Sequence, residues 1–215
     1  MRLAPSILSA NAAHLAREVH DVEHMGIDLI HFDVMDGHYV PNITFGANVV
    51  AALKKETTLD IDVHLMVKEP DHLIPSFLSA GADMISVHAE ACRHLHRTIQ
   101  LVKDGGVKAG IALNPATPFS QIKPVLSDLD YILIMTVDPG FGGQTFINSM
   151  LQKIREVKSF IDAGKLKIDI EVDGGINKLT LPPCLKAGAS IIVAGSAIFG
   201  QRNRLEAIHT LTRAD

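Results

Sequence analysis

The chain has 215 residues, of which 47% are hydrophobic, and its formal net charge at pH 7 is −4. This length and apolar content suffice for one domain with a complete core. The acidic balance without a basic run argues against nucleic acid as a partner, and no apolar run reaches the ~18 residues of a membrane span. With two distant cysteines, Cys92 and Cys184, and no signal-peptide pattern, we expect a cytoplasmic protein with reduced thiols.

Apolar runs with β-strand character alternate with amphipathic stretches along the whole chain. Strands are predicted over residues 3–8, 29–35, 59–66, 84–88, 108–113, 131–137, 167–173 and 190–194. Helices are predicted over residues 12–24, 47–55, 70–78, 93–103, 118–126, 147–161, 179–186 and 204–212. Gly81 and Gly188 suit left-handed helix C-caps, and Thr117 before Pro118 predicts a capped helix start.

Eight strand–helix units in one domain predict parallel strands, because each strand is followed by a crossover helix. The predicted fold class is α/β, and a single (β/α)8 TIM barrel over residues 1–215 closes such a sheet. The main alternative is a doubly wound sheet of Rossmann type. That fold carries Gly-x-Gly-x-x-Gly after its first strand, where this chain has Pro-Ser-Ile-Leu-Ser at residues 5–9. The barrel is therefore our prediction.

The second and third predicted strands carry polar residues that are costly to bury. Alternate residues of a strand share a face, so His31, Asp33 and Met35 point one way. On the next strand His64 and Met66 point together. Imidazoles and a carboxylate among apolar neighbours need polar partners. A bound metal ion would supply them if a further ligand lies nearby.

The seventh predicted strand offers that ligand in Asp173, at its end. In a barrel the active site lies at the carboxyl ends of the strands, so Asp173 should meet the residues above, together with Met135 of the sixth strand. Two histidines and two aspartates form a nitrogen and oxygen set that suits zinc and also iron, cobalt or manganese. A structural reading, in which these groups form a buried polar layer of the barrel interior, stays open.

Three further polar residues lie on inward faces of the predicted strands. Asp62 and Glu171 are one layer deeper than the candidate ligands and are expected to orient the ligand histidines. His88 ends the fourth strand on an inward face and is kept in reserve as a further ligand.

Glycine-bearing loops follow the sixth, seventh and eighth predicted strands, at residues 138–144, 174–175 and 195–196. Backbone N–H groups in such loops bind phosphate oxygens, and barrels commonly bind a phosphate after strands seven and eight. We therefore expect a phosphate site on one side of the barrel mouth. The loop around Phe141 is the candidate lid over the substrate.

Asp33 and Asp173 belong to strands on different sides of the predicted barrel. A ligand between them would have one carboxylate on each face, which suits removal of a proton from one face of a carbon and its return to the other. A metal ion there would hold a carbonyl and the adjacent hydroxyl and stabilise the enediolate between the two steps.

Several stretches of the chain are similar to the ribulose-phosphate 3-epimerase family, in the family's order and over nearly the whole length. They are APSILSA at residues 4–10, HFDVMDGHYVPN at 31–42, DVHLMV at 62–67, NPATP at 114–118, DPGFGGQ at 138–144, EVDGG at 171–175 and AGSAIF at 194–199. The resemblance implies a (β/α)8 barrel that interconverts D-ribulose 5-phosphate and D-xylulose 5-phosphate in the pentose phosphate pathway.

The resemblance also implies roles for individual residues. The metal ligands would be His31, Asp33, His64 and Asp173, usually around zinc or iron, with Asp33 as proton acceptor and Asp173 as proton donor. Methionine sulfurs would cap the intermediate, and the glycine loops would bind the phosphate. The implied substrate contacts are Ser6, His64, Met35, Met66, Met135, Gly140, Phe141, Gly142, Gly143, Asp173, Gly174, Gly175, Gly195 and Ser196.

Three alternatives stand beside this hypothesis. The first is an epimerase of a related ketohexose phosphate such as allulose 6-phosphate, which the same groups would serve. The second is a metal-dependent hydrolase, in which a second carboxylate opposite the first has no clear task. The third is a non-catalytic sugar-phosphate binder, which does not explain ionisable groups at strand ends. Family members are often dimers or hexamers, so we expect a homo-oligomer.

Overall fold

The eight predicted strands all form, in a computed structural model that describes residues 1–213. They are β1 (Arg2–Pro5), β2 (Leu29–Met35), β3 (Asp60–Met66), β4 (Met84–His88), β5 (Lys108–Leu113), β6 (Tyr131–Met135), β7 (Asp169–Asp173) and β8 (Ile191–Ala194). All neighbours pair in parallel in the order β1-β8-β7-β6-β5-β4-β3-β2. A parallel bridge between Ser6 and His31 joins the two outer strands, so the sheet closes into the predicted (β/α)8 barrel.

The α-helices surround this sheet. They are α1 (Leu15–His24), α2 (Ala47–Leu53), α3 (Ile74–Ala80), α4 (Leu95–Asp104), α5 (Met150–Gly164), α6 (Leu181–Ala187), α7 (Ser196–Phe199) and α8 (Arg204–Thr212). Gly81 and Gly188 adopt the expected left-handed C-caps. Within residues 1–213 no helix combines the length and the apolar character that a membrane span needs.

The predicted helices over residues 12–24 and 70–78 each begin as a 3₁₀ segment, and the strands predicted over 131–137 and 167–173 are two residues shorter. Three further errors have a clear physical cause. The helix predicted over residues 118–126 consists of two 3₁₀ segments, Phe119–Gln121 and Lys123–Asp128, because Pro124 lacks the N–H that an α-helix interior requires. Thr117 does not cap it, and its hydroxyl instead donates a hydrogen bond to Glu90. The first strand ends early, at Pro5, because the Ser6 hydroxyl accepts from the Leu8 N–H and starts a 3₁₀ turn.

The strands bury both faces, as parallel barrel strands must. Their outward residues, such as Val63 and Leu65, pack in the core between sheet and helices. Inside the barrel an apolar floor is formed by Ala4, Leu29, Met84, Tyr131, Ile191 and Val193. Gly110 makes room for the Tyr131 ring, because a Cβ at this position would lie 2.3 Å from the ring. Above this floor the inward side chains become polar, and there the candidate site begins.

Candidate active site

Four side chains at the carboxyl ends of β2, β3 and β7 converge in the barrel interior. One donor atom from each of His31, Asp33, His64 and Asp173 lies within 4.8 Å of the others. Asp33 Oδ1 is 3.5 Å from both His31 Nε2 and His64 Nδ1. Asp173 Oδ2 is 4.0 Å and 3.9 Å from the same two nitrogens. The residues that the sequence predicted as metal ligands thus lie around one point.

The ring nitrogens of the two histidines fit a metal ion at that point. His31 Nε2 and His64 Nδ1 are buried and have no hydrogen-bond partner. The opposite ring nitrogens are engaged, His31 Nδ1 with Asp62 Oδ2 at 2.6 Å and His64 Nε2 with His88 Nε2 at 2.8 Å. Two ligand atoms of one tetrahedral zinc ion lie about 3.3–3.6 Å apart, which is close to the observed separations. The cluster can therefore hold a divalent metal ion.

The electrostatics of the cluster favour a positive charge. Burial works against a charged His31, but the Asp33 and Asp62 carboxylates outweigh it and raise the pKa of His31 well above its ordinary value. A metal ion at Nε2 would bring such a charge without a proton. Burial lowers the pKa of His64 to about 4, so this ring is neutral near pH 7, which is the form that binds metals.

The two aspartates of the cluster have opposite pKa shifts. Burial disfavours an ionised Asp33, but the adjacent His31 outweighs burial and lowers the pKa of Asp33 far below its ordinary value. The Ser6 hydroxyl also donates to Asp33 Oδ2 at 2.6 Å. Burial, followed by the charge of Asp33, raises the pKa of Asp173 to about 7. Asp33 is thus ionised near neutral pH, whereas Asp173 is divided between its protonated and ionised forms.

A second polar layer lies directly beneath the cluster. Asp62 accepts hydrogen bonds from His31 Nδ1 and, at 2.8 Å, from the Tyr131 hydroxyl. Glu171 Oε1 is 3.5 Å from His31 Nδ1, and both Glu171 oxygens are buried without a hydrogen-bond partner. Burial and the neighbouring Asp62 raise the pKa of Glu171 well above its ordinary value. Asp62 and Glu171 occupy the deeper layer that the alternation predicted, with Asp62 orienting His31.

Methionines form one wall of a pocket above the cluster. Met35 and Met66 are paired in the β2–β3 register, and Met135 ends β6. All three are buried and line the same pocket as Ser6 and Asp33. Soft, flexible thioethers fit irregular apolar surfaces. The pocket is therefore apolar on this side and carries the carboxylates Asp33 and Asp173 at its base.

Glycine loops after β6, β7 and β8 form another part of the pocket wall. Gly174 and Gly175 have φ angles of +118° and +67°, and a Cβ on Gly174 would lie 2.4 Å from Val137. A Cβ on Gly195 would lie 2.4 Å from the Ser9 hydroxyl. Only glycine fits such backbone positions. The wall consequently presents main chain, with its N–H groups, to the pocket.

Nearly all residues predicted to contact a substrate line this one pocket. His64 is the exception, because it is fully buried beneath the pocket and faces it only through the ligand cluster. Phe141 is 57% exposed and lies at the rim. The lining positions are Ser6, Met35, Met66, Met135, Gly140, Phe141, Gly142, Gly143, Asp173, Gly174, Gly175, Gly195 and Ser196.

Comparison with known proteins agrees with this geometry. The profile of the ribulose-phosphate 3 epimerase family matches residues 2–199. The chain belongs to the ribulose-phosphate 3-epimerase family. It is 59% identical over 209 residues to ribulose-phosphate 3-epimerase of Bacillus subtilis (strain 168), covering 97% of this chain and 96% of that protein. The chain is thus an enzyme of the isomerase class.

A second relative and a solved structure are also similar to this chain. Ribulose-phosphate 3-epimerase of Serratia marcescens is 52% identical over 200 residues, covering 93% of this chain and 95% of that protein. The crystal structure of orotidine 5'-phosphate decarboxylase from Pyrococcus horikoshii OT3 superposes with a TM-score of 0.71 at 19% identity. That match covers 100% of this chain and 98% of the other. The latter likeness shows the shared barrel fold alone.

Sequence reasoning missed several residues of this epimerase site. Ser9 and Gln144 line the pocket, and Gln144 Nε2 donates to the carbonyls of Asp138 and Phe141 and so fixes the β6 loop. His88, kept in reserve as a ligand, lies outside the four-residue cluster and contacts His64 instead. Ser9 belongs to a stretch that resembles the family, which was the available signal. Gln144 likewise ends such a stretch.

Proposed function

We propose that this enzyme interconverts D-ribulose 5-phosphate and D-xylulose 5-phosphate by proton transfer at C3. The observation that carries the proposal is the pair Asp33 and Asp173, which reach one pocket from strands three positions apart around the barrel and have opposite pKa shifts. The names of the Bacillus subtilis and Serratia marcescens relatives support the same substrate.

The two carboxyl groups divide the reaction into two proton transfers. Ionised Asp33 takes the proton from C3, and the electrons of the broken C–H bond pass into an enediolate between C2 and C3. Protonated Asp173 then delivers its proton to the other face of C3, which forms the C–H bond with inverted configuration. Asp33 is left protonated and Asp173 ionised, so the reverse reaction uses the same residues in exchanged roles.

His31, Asp33, His64 and Asp173 are the residues that would hold a divalent metal ion, and their donor set suits zinc, iron, cobalt or manganese. When bound, the ion supplies Lewis-acid stabilisation of the negative charge that develops on the substrate oxygens. The protein positions the ligands for this task, because Asp62 and His88 engage the outer nitrogens of the two imidazoles.

The two walls of the pocket would bind different ends of the sugar phosphate. The main-chain N–H groups around Gly174, Gly175 and Gly195 suit the phosphate oxygens. The methionine wall would exclude water from the reacting carbons and so protect the enediolate from side reactions. Phe141 at the exposed rim supports the β6 loop as the closing segment. Identical order of this loop in ligand-bound and empty crystals would contradict that role.

The test is the reaction of the purified metal-loaded enzyme with ribulose 5-phosphate in deuterated solvent, followed by NMR. We expect xylulose 5-phosphate with deuterium at C3, and loss of this product after exhaustive removal of metal with a chelator. The matched control is Asp104→Asn, a change at an exposed carboxylate at the end of α4, which should turn over like the unmodified enzyme. If the enzyme turned over allulose 6-phosphate and not ribulose 5-phosphate, its substrate would be the ketohexose phosphate and not the pentose phosphate.

Three predictions from the sequence stay predictions: the cytoplasmic location, the place in the pentose phosphate pathway and the homo-oligomer.

A further inference from the structure

A chain of closely spaced polar side chains leads away from His64 on the side opposite the ligand cluster. Its Nε2 lies 2.8 Å from His88 Nε2, and the two rings are stacked with centroids 4.9 Å apart. The other nitrogen of His88, Nδ1, is 3.3 Å from Glu90 Oε2. His64 and His88 are both fully buried. The chain therefore joins a proposed metal ligand to a carboxylate that lies outside the pocket.

The order of donors and acceptors along this chain follows from the carboxylate at its end. Glu90 as a carboxylate can only accept, and its Oε2 lies 3.3 Å from His88 Nδ1, which makes no hydrogen bond of normal geometry to any other group. This contact favours the proton on His88 Nδ1 and leaves a lone pair on His88 Nε2. That lone pair accepts the proton of His64 Nε2. Since a neutral imidazole carries one N–H, His64 Nδ1 then has the free lone pair, and this is the buried, unpaired atom that faces the ligand cluster.

Glu90 is itself fixed by the loop after β5, whose NPATP stretch has no other assigned task. Its Oε1 accepts from the Asn114 N–H at 2.9 Å and from the Thr117 hydroxyl. Lys153 holds this loop from outside, because its Nζ donates to the carbonyls of Asn114, Pro115 and Thr117 at 2.8, 2.8 and 2.7 Å. The carboxylate therefore has a fixed orientation.

The charges agree with this arrangement. Burial raises the pKa of a carboxyl, but for Glu90 the nearby His88 and the hydrogen bonds from Thr117 and Asn114 outweigh it and lower the pKa to about 2. Glu90 is thus ionised near neutral pH and offers His88 only acceptor atoms.

We propose that His88 and Glu90 are positioning residues that fix the tautomer of His64, so that Nδ1 presents its lone pair to the metal ion. The proposal rests on the metal site inferred under Proposed function. It assigns a task to the NPATP loop, which is to orient Glu90. It also explains how two ligand histidines use different atoms: His31 is held at Nδ1 by Asp62 and offers Nε2, whereas His64 is held at Nε2 by His88 and offers Nδ1.

The experiment measures metal affinity and ring protonation in variants of this chain. Zinc dissociation constants are obtained by chelator competition, and ring ¹⁵N chemical shifts of the metal-free protein report which nitrogen of His64 carries the proton. In Glu90→Gln the side-chain amide can donate a hydrogen bond to His88 Nδ1. This would reverse the order of donors and acceptors and place the proton of His64 on Nδ1. We expect this variant to weaken zinc binding about 10- to 100-fold and to change the His64 shifts. The matched control is Glu69→Gln, at an exposed glutamate paired with Arg93, which should change neither value.

A second pair of variants keeps the proposal testable if Glu90→Gln does not fold. His88→Gln retains an acceptor for His64 Nε2 and should bind zinc nearly as well as the unmodified protein. His88→Phe removes the acceptor and should lose about 10-fold or more in affinity.

Each outcome bears on one proposal. Equal affinities for the Phe and Gln variants, or unchanged His64 shifts in Glu90→Gln, would overturn the positioning role. Weaker binding with unchanged shifts would mean that only the charge of Glu90 matters, which also overturns it. Failure of the unmodified protein to bind zinc or iron would instead overturn the metal site proposed above.

Discussion

Asp33 and Asp173 are the same residue type at the same kind of position, yet their surroundings differ at every level. Asp33 lies two residues before the end of the long strand β2, is buried, and accepts a hydrogen bond from Ser6 between two imidazoles. Asp173 ends a shorter strand beside Gly174, and 18% of its side chain is exposed. The first has a lowered pKa and the second a raised one. The comparison shows that packing, and not residue type, sets the starting protonation of each carboxyl group.

The largest expected effect comes from removing either carboxylate. Asp33→Asn and Asp173→Asn should each lower kcat about 10³-fold, because each deletes a general acid or base. Steady-state kinetics with ribulose 5-phosphate measures this, with metal content determined in parallel. If a variant kept more than a tenth of the activity with metal bound, the aspartate it lacks would not be one of the two proton-transfer groups.

The hydrogen-bond network behind β2 and β3 extends to Glu90, whose pKa predicts a pH-dependent contribution to stability. A carboxyl whose folded-state pKa is lowered stabilises the fold above its unfolded pKa of about 4.5, and this contribution is lost as the pH falls towards about 2. Because Glu90 is exposed, solvent screens this contribution and we expect it to be about 1 kcal/mol. Urea unfolding of the chain and of Glu90→Gln should therefore differ most at pH 6–7 and converge as the pH approaches about 2. A difference that does not change with pH would contradict the pKa.

Asp33 accepts a hydrogen bond from the Ser6 side chain, and Asp173 has no such side-chain support among the described residues. Ser6→Ala removes the 2.6 Å hydrogen bond to Asp33 Oδ2, which for a charged acceptor is worth about 1.5–3 kcal/mol. We expect kcat/KM to fall about 10-fold or more while the fold is retained. Ser149→Ala, at a position before α5 without a side-chain capping bond, is the control. Unchanged kinetics in Ser6→Ala would mean that Asp33 is positioned without it.

The position of Asp173 depends instead on the backbone conformation of the adjacent Gly174. Gly174→Ala would place a Cβ 2.4 Å from Val137 at a φ of +118°, and we expect a loss of about 2 kcal/mol in stability together with a higher KM. Gly106→Ala also has a positive φ, +76°, but open space around it, so it isolates the cost of the φ angle. Equal stability losses in the two variants would mean that the Val137 contact is easily relieved.

The smallest expected effect lies beneath the two aspartates. Burial and the neighbouring Asp62 raise the pKa of Glu171 well above its ordinary value and so favour its neutral form, and we expect Glu171→Gln to cost less than about 1 kcal/mol in unfolding free energy. Asp62→Asn replaces an ionised acceptor of two buried hydrogen bonds and should cost about 3 kcal/mol. Chemical denaturation of both variants measures the contrast. A Glu171→Gln cost equal to that of Asp62→Asn would show that Glu171 is ionised.

The barrel and the ligand cluster were predictable because both depend on alternation along strands. The inward positions of β2 and β3 follow from the apolar residues between them, and the barrel rule brings the carboxyl ends of β2 and β7 to one mouth. The resemblance to the epimerase family added roles for Ser6, the methionines and the glycine loops. The predicted helix over residues 118–126 failed because one proline within it outweighed an apolar pattern.

Glu90 was missed for a different reason. It follows a strand in a short 3₁₀ turn, where no period identifies the face of a side chain. Its partners, Asn114 and Thr117, are 24 and 27 residues away. Which nitrogen of His64 is free depends on these contacts, and such tertiary contacts leave no periodic trace in the sequence.

Hydrogen exchange at C3 in the two asparagine variants tests the division of roles most directly. In deuterated water, metal-loaded Asp173→Asn should introduce deuterium into ribulose 5-phosphate through Asp33 without forming xylulose 5-phosphate. Asp33→Asn should introduce deuterium only into xylulose 5-phosphate, through Asp173. Exchange of both sugars by one variant and of neither by the other would contradict the account, because a single carboxyl group would then serve both faces of C3.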